Sequence, residues 1–129
     1  MLLSKVLPCI LAMVCTLSAS ETHALRIRQT EWNSHQVLLA TGEIEQGDAE
    51  RMARVLVDIQ PLPHGLPVIL LDSGGGSVAE ALKISELFER RPVHTVVAAG
   101  GRCTSACASI IFVSGTNRTC PLRVVRWQC

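Results

Sequence analysis

A chain of 129 residues with a formal net charge of +1 has room for one domain, and it carries no charge run of the kind that binds nucleic acid. Nearly half of it is apolar, yet it holds two Trp, two Phe and no Tyr, so its core is built from Val, Leu, Ile and Ala. No internal repeat or low-complexity tract divides it.

The chain opens with Lys5, an apolar run from Val6 to Leu17, and small residues at Ser18-Ala19-Ser20 and Thr22-His23-Ala24. That order predicts an export signal peptide over residues 1–24. A bilayer-spanning anchor would want about 20 apolar residues. The expected product is periplasmic or secreted, with one domain over 25–115 and an atypical tail over 116–129. Leu25-Arg26-Ile27-Arg28 alternates and predicts an edge strand, and Gln36 to Gly42 predicts a second strand. Gly47-Asp48 opens a helix with Asp48 as N-cap, because Ala49, Met52, Ala53, Leu56 and Ile59 recur at three and four. Pro61, Pro63, Gly65 and Pro67 make a stiff connection to Val68-Ile69-Leu70-Leu71-Asp72, an apolar run of buried-strand type.

Ser73-Gly74-Gly75-Gly76 follows, and then Ser77 and Glu80 form an S-x-x-E capping box. Behind it lie Val78, Ala81, Leu82, Ile84, Leu87 and Phe88 at helical spacing. Arg90-Arg91-Pro92 ends that helix, and Val93 to Ala98 predicts another strand. Gly100-Gly101 then leads to Cys103-Thr104-Ser105-Ala106-Cys107, with Ser105 at or near a third helix start and Ile110 to Val113 within it. Strands alternating with helices predict an α/β fold, a mostly parallel sheet with right-handed crossovers.

Two strand–glycine–helix turns at one sheet edge can carry chemistry. The first lacks the lysine of a phosphate-binding loop and the spacing of a dinucleotide fingerprint. It reads either as a plain tight turn or as an oxyanion hole. Ser105 reads either as an N-cap or as a nucleophile facing that hole. His35, His64 and His94 carry no neighbouring signal, and Lys83 reads either as the base of a Ser/Lys dyad or as part of a solvated helix face. The cysteines beyond the leader are Cys103, Cys107, Cys120 and Cys129, which read first as disulfides, with a zinc site as the alternative. Cys103 and Cys107 on a regular helix would have Cβ atoms about 5–6 Å apart, too far for a disulfide at about 3.5–4.5 Å. With Cys103 in the turn before the helix the pair can close, and an oxidised pair is predicted.

Leu71-Asp72-Ser73-Gly74-Gly75-Gly76-Ser77-Val78 resembles the N-S-P-G-G-S-V turn of the Clp-protease-like serine peptidases, and Gly101-Arg102-Cys103-Thr104-Ser105-Ala106 resembles their G-x-x-x-S-A nucleophile turn. The C-x-S-A-C form is similar to an exported subgroup, and the resemblance runs from about Gln36 to Gly115. It implies a ClpP/crotonase-like core and peptide-bond hydrolysis, with Ser105 as nucleophile and Gly75 and Ala106 as oxyanion-hole donors. It implies no cofactor and no metal and a peptide or protein substrate, with a homo-oligomer as one open assembly state. Gly74 stands where that family has Pro. The family's downstream His and Asp are missing, since no His follows position 94 and no Asp follows position 72. The C-terminus therefore reads as truncated or frameshifted, and the enzyme as inactive. The rival expectation is a non-catalytic scaffold or binding module on the same fold, and a third is a thiol protein using Cys103 and Cys107. Without a strand after the third helix, a marginal monomer associating through Ile110–Val113 is expected.

Overall fold

The computed structural model describes residues 24–62 and 65–120. Strands β1 (Arg26–Trp32) and β2 (His35–Thr41) form an antiparallel hairpin closed by the pair Trp32 and His35. The turn is Asn33-Ser34, with φ of 50° and 63°. Two left-handed residues match the twist of the flanking strands, which is why a two-residue turn suffices. Then follow α1 (Asp48–Asp58), β3 (Val68–Asp72), α2 (Val78–Arg90), β4 (His94–Val97), α3 (Cys107–Phe112, with the wide turns of a π-helix) and β5 (Asn117–Thr119).

The five strands lie in the sheet in chain order, with β2, β3, β4 and β5 mutually parallel. Each parallel step needs a crossover, and α1, α2 and α3 supply them. Met52 and Leu56 from α1, Ala81, Ile84 and Phe88 from α2, and Cys107 and Ile111 from α3 share one buried core with Leu38, Ala40, Ile69, Leu71 and Val97. The helices thus form a single layer, α2 packing against both neighbours. On the other sheet face Val37, Val68, Leu70 and Val96 form a second buried cluster, with Leu39, Leu62 and Ala98 beside it. Burial on both faces explains why Val68 to Leu71 is continuously apolar instead of alternating. Among the described residues no helix is long and apolar enough to cross a membrane.

Several expectations need correction here. The edge strand runs to Trp32, four residues past Arg28, because the Asn33-Ser34 turn lets it pair along all of β2. Gly47 caps α1 with φ 94°, and Asp48 lies inside the first turn. The Asp48 carboxylate is fully buried and accepts from the amides of Leu25 and Glu45 (3.3 and 2.6 Å) while pairing with Arg51. It ties the strand entry to the helix start. The sheet also continues past α3: β5 pairs with β4, from His94 with Asn117 to Val96 with Thr119. Thr95 seals that corner, its hydroxyl donating to the Phe112 carbonyl at 2.8 Å while Gly115 sits directly against it. Ile111 is accordingly buried, and of Ile110–Val113 it is Val113 that stands exposed. That segment is not the open apolar surface expected of it. Residues 1–23 and Val124–Val125 lie outside the described residues, as does His64.

Candidate functional site

The turns after β3 and β4 meet at the carboxyl edge of the sheet, where open α/β sheets place their ligands. Backbone pairing joins them: the Ser73 amide donates to the Arg102 carbonyl (2.7 Å), and the Thr104 amide donates to the Ser73 carbonyl (3.1 Å). The Thr104 hydroxyl donates to the Gly74 carbonyl (3.1 Å), and the Asp72 carboxylate accepts from the Arg102 amide (3.0 Å). On its other side the glycine turn pairs with Ile44, whose amide donates to the Gly75 carbonyl (2.8 Å) and whose carbonyl accepts from Ser77 (2.8 Å). Both flanks of the turn are therefore occupied by this chain's own backbone.

The packing has no slack. A Cβ on Gly75 would lie 2.7 Å from the Ser105 Cβ, 3.0 Å from the Thr104 carbonyl oxygen and 3.1 Å from the Ala106 amide nitrogen. Gly75 has φ 105° and Gly76 has φ 136°, conformations that side chains rarely adopt. Ser105 itself is left-handed at φ 54°, exposed, and uncommon for a residue with a Cβ. Cys103 and Cys107 bracket it with a disulfide, Cα atoms 5.2 Å apart and both side chains buried. The predicted pairing is present because Cys103 lies in the turn and not on the helix. Two of the four thiols are so used, and Cys120 is disulfide-bonded too. A zinc site and a free-thiol chemistry at Cys103 and Cys107 are both set aside.

The structure brings Ser105, Gly75 and Ala106 together, as the sequence motifs suggest, but not as an open catalytic centre. The Gly75 amide already donates to the Ser73 hydroxyl at 3.1 Å. The ionisable groups of the region have other engagements. Asp72 holds the Arg102 amide, and Lys83 pairs with Glu80 at 3.2 Å. His94 meets Thr119 through Nε2 at 2.8 Å, between β4 and β5, and His35 lines a shallow groove with Ser34, Gln36, Gln60, Pro61 and Leu62. None of these side chains bonds the Ser105 hydroxyl.

Glu80 departs from its expected role. Ser77 accepts from the Glu80 amide (3.2 Å), which is half of the capping box. The Glu80 carboxylate, however, crosses to α1 and accepts from the amides of Gly47 and Ala49 (3.1 and 3.0 Å). The Ala49 amide holds its pKa below the usual carboxylate value against the opposing effect of burial, helped by Lys83 and Gly47.

One feature of the site was not anticipated. The Arg102 guanidinium lies across the Gly74 backbone, its Nη2 3.2 Å and Cζ 3.5 Å from where a Gly74 Cβ would be. The ion pairs among the described residues are Arg51–Asp48, Arg54–Glu50 and Lys83–Glu80, so Arg102 belongs to none of them. The glycine at position 74, where the resembled family has Pro, was the available sequence signal.

No family model matches this chain. No curated protein matches it either. Among solved structures it is similar to an uncharacterised protein of the DUF3478 family with a SpoIIAA-like fold from Shewanella loihica. The TM-score is 0.50 at 15% sequence identity, over 78% of this chain and 87% of that one. At that identity the likeness concerns the fold alone. It corrects the expectation of a ClpP/crotonase-like core: the α/β class stands, but the mixed five-stranded sheet is SpoIIAA-like. The reading as a Clp-protease-like serine peptidase falls with it, and with that the rival scaffold on the same fold. The physical reason is that strand–glycine–helix turns recur wherever a parallel strand feeds a helix, so two short motifs do not single out one superfamily.

Proposed function

We propose that this chain is a ligand-binding module that holds an anionic group, a carboxylate or a phosphate, at the junction of its two glycine turns. The observation that carries the reading is Arg102, a guanidinium outside the ion pairs among the described residues, laid over a glycine backbone beside the exposed Ser105 hydroxyl. A planar guanidinium offers a fork of donors matched to carboxylate and phosphate oxygens. The α2 N-terminus adjoins the same turn, and the first amides of a helix have no intrahelical acceptor. The Glu80 carboxylate, the nearest negative charge on α2, is directed at α1 instead. Binding is favoured over turnover because activating Ser105 would need a base, and the neighbouring ionisable groups are engaged elsewhere. The Cys103–Cys107 disulfide supports an oxidising, exported location.

The test is a titration of the isotope-labelled protein with inorganic phosphate and, separately, with a short peptide bearing a free C-terminal carboxylate. Amide signals of Gly74, Gly76, Arg102 and Ser105 should shift, and affinity should fall as salt rises. Arg102→Ala should abolish the shifts, and Arg102→Lys should weaken them, since an ammonium lacks the fork. Shifts that persist in Arg102→Ala, or that appear only away from these turns, would overturn the reading. Peptide hydrolysis lost in Ser105→Ala would overturn it as well.

A further inference from the structure

The outer edge of β1 is a second site of recognition. Among the described residues β1 pairs with β2 alone, and Arg26, Arg28, Gln29, Glu31 and Trp32 are exposed. A two-residue turn closes on a hydrogen-bonded pair, here Trp32 and His35, and bonded pairs then alternate along an antiparallel ladder. Trp32, Thr30, Arg28 and Arg26 therefore spend their backbone groups on β2. The N–H and C=O groups of Ile27, Gln29 and Glu31 point outward, away from the sheet. Seven residues of strand without a proline or bulge form an edge open to pairing, its charges being Arg26, Arg28 and Glu31.

We infer that this edge pairs antiparallel with the same edge of a second copy, about a two-fold axis at Gln29. The strand's own sequence favours that occupant. With Gln29 opposite Gln29, the outward-pointing residues fall opposite one another, Ile27 against Glu31 and the reverse, giving roughly six backbone hydrogen bonds. On the sheet face away from the helices, Arg26 lies opposite the partner subunit's Trp32, and Arg28 lies diagonal to it. Both are positions for a guanidinium to stack on an indole. No like charges lie directly opposite in this register, Arg28 and the partner's Arg28 standing diagonal across the axis. An axis at Arg28 would set those two face to face, and a shift either way would shorten the overlap. The pairing joins two five-stranded sheets into one of ten, with both helix layers on the same side. A single strand pair buries little surface, so the dimer is weak and concentration-dependent.

Sedimentation of the purified chain over a wide concentration range tests this, alongside amide exchange. Wild type should pass from monomer to dimer. The amides of Ile27, Gln29 and Glu31 should gain protection with concentration, while those of Arg28 and Thr30 are protected throughout. Gln29→Pro removes an outward donor without touching the bonds to β2, a change that edge strands tolerate. It should keep the wild-type melt and weaken the dimer by about tenfold or more. Trp32→Ser should weaken it too. A monomer at every concentration would overturn the inference, and so would a dimer of undiminished strength in Gln29→Pro. Protection rising elsewhere than β1 would place the contact on another surface and overturn it equally.

Discussion

Gly75→Ala probes whether the two turns form one locked unit. The new Cβ would sit 2.7 Å from the Ser105 Cβ, with the Thr104 carbonyl oxygen at 3.0 Å and the Ala106 amide nitrogen at 3.1 Å. Two of these are backbone atoms in a segment pinned by the Cys103–Cys107 disulfide, so the neighbours yield little. Overpacking of this kind costs about 1–3 kcal/mol. The positive φ of Gly75 adds about 1–2 kcal/mol for any residue with a Cβ. A loss of about 2–5 kcal/mol follows. Gly100→Ala is the control, since Gly100 has φ 74° but nothing within 4 Å of its Cβ position. It should lose only the backbone contribution, about 1–2 kcal/mol. Both variants gain the same entropic stiffening of the unfolded chain, about 0.4–1 kcal/mol, which cancels in the comparison. Urea denaturation with matched slopes measures the difference. In a thermal melt each kcal/mol should appear as about 4–8 °C for a domain of this size. Equal losses in the two variants would refute the argument that the turns are packed backbone to backbone.

Glu80→Gln should lose about 1–3 kcal/mol, because buried amides of α1 would exchange a charged acceptor for a neutral one. The folded pKa of Glu80 lies below its ordinary value of 4.5, so its contribution is complete above that pH and disappears as pH falls through the lowered value. Urea midpoints down to about pH 3 should therefore fall more steeply in wild type than in Glu80→Gln. Removing the Cys103–Cys107 bridge by paired Ala substitution should lower stability by about 2 kcal/mol, the loop-entropy value for so short a ring, as a melt of each protein would show. Thr95→Val keeps the shape but leaves the Phe112 carbonyl with the Gly115 amide as its one remaining donor, and a loss of about 0.5–1.5 kcal/mol in urea denaturation is expected.

Elements with a strong period were legible in the sequence. Met52 and Leu56, or Ala81, Ile84 and Phe88, recur on one helix face and are the residues found in the core. The Val68–Leu71 run announced a central strand by its lack of alternation. The missed features depend on partners distant in sequence. Glu80 obeys the local S-x-x-E rule through its amide, but its carboxylate is claimed by α1, more than thirty positions upstream. Asn33-Ser34 lacks the glycine that marks a tight hairpin, so the length of β1 stayed hidden. Asn117–Thr119 has no apolar pattern, being an exposed edge strand held by backbone pairing and by the Thr95 corner. At the candidate site, proximity of Ser105 to Gly75 was readable from two motifs. The lay of Arg102 over Gly74 was not, because that is set by how the turns pack.

The coincidence of strand order with chain order has a bearing on how the molecule assembles. Every strand docks on the one made just before it, so no segment waits for a distant partner and no strand is threaded between two already formed. The hairpin β1–β2 is the most local contact and can act as a template from the first. Each later helix–strand unit then closes a loop of only one crossover, and short loop closures carry small entropic penalties. A chain delivered N-terminus first could build its sheet outward at the pace of delivery. The short ring of Cys103 and Cys107 closes within a single such unit, so oxidation can follow local folding without risk of joining the wrong elements.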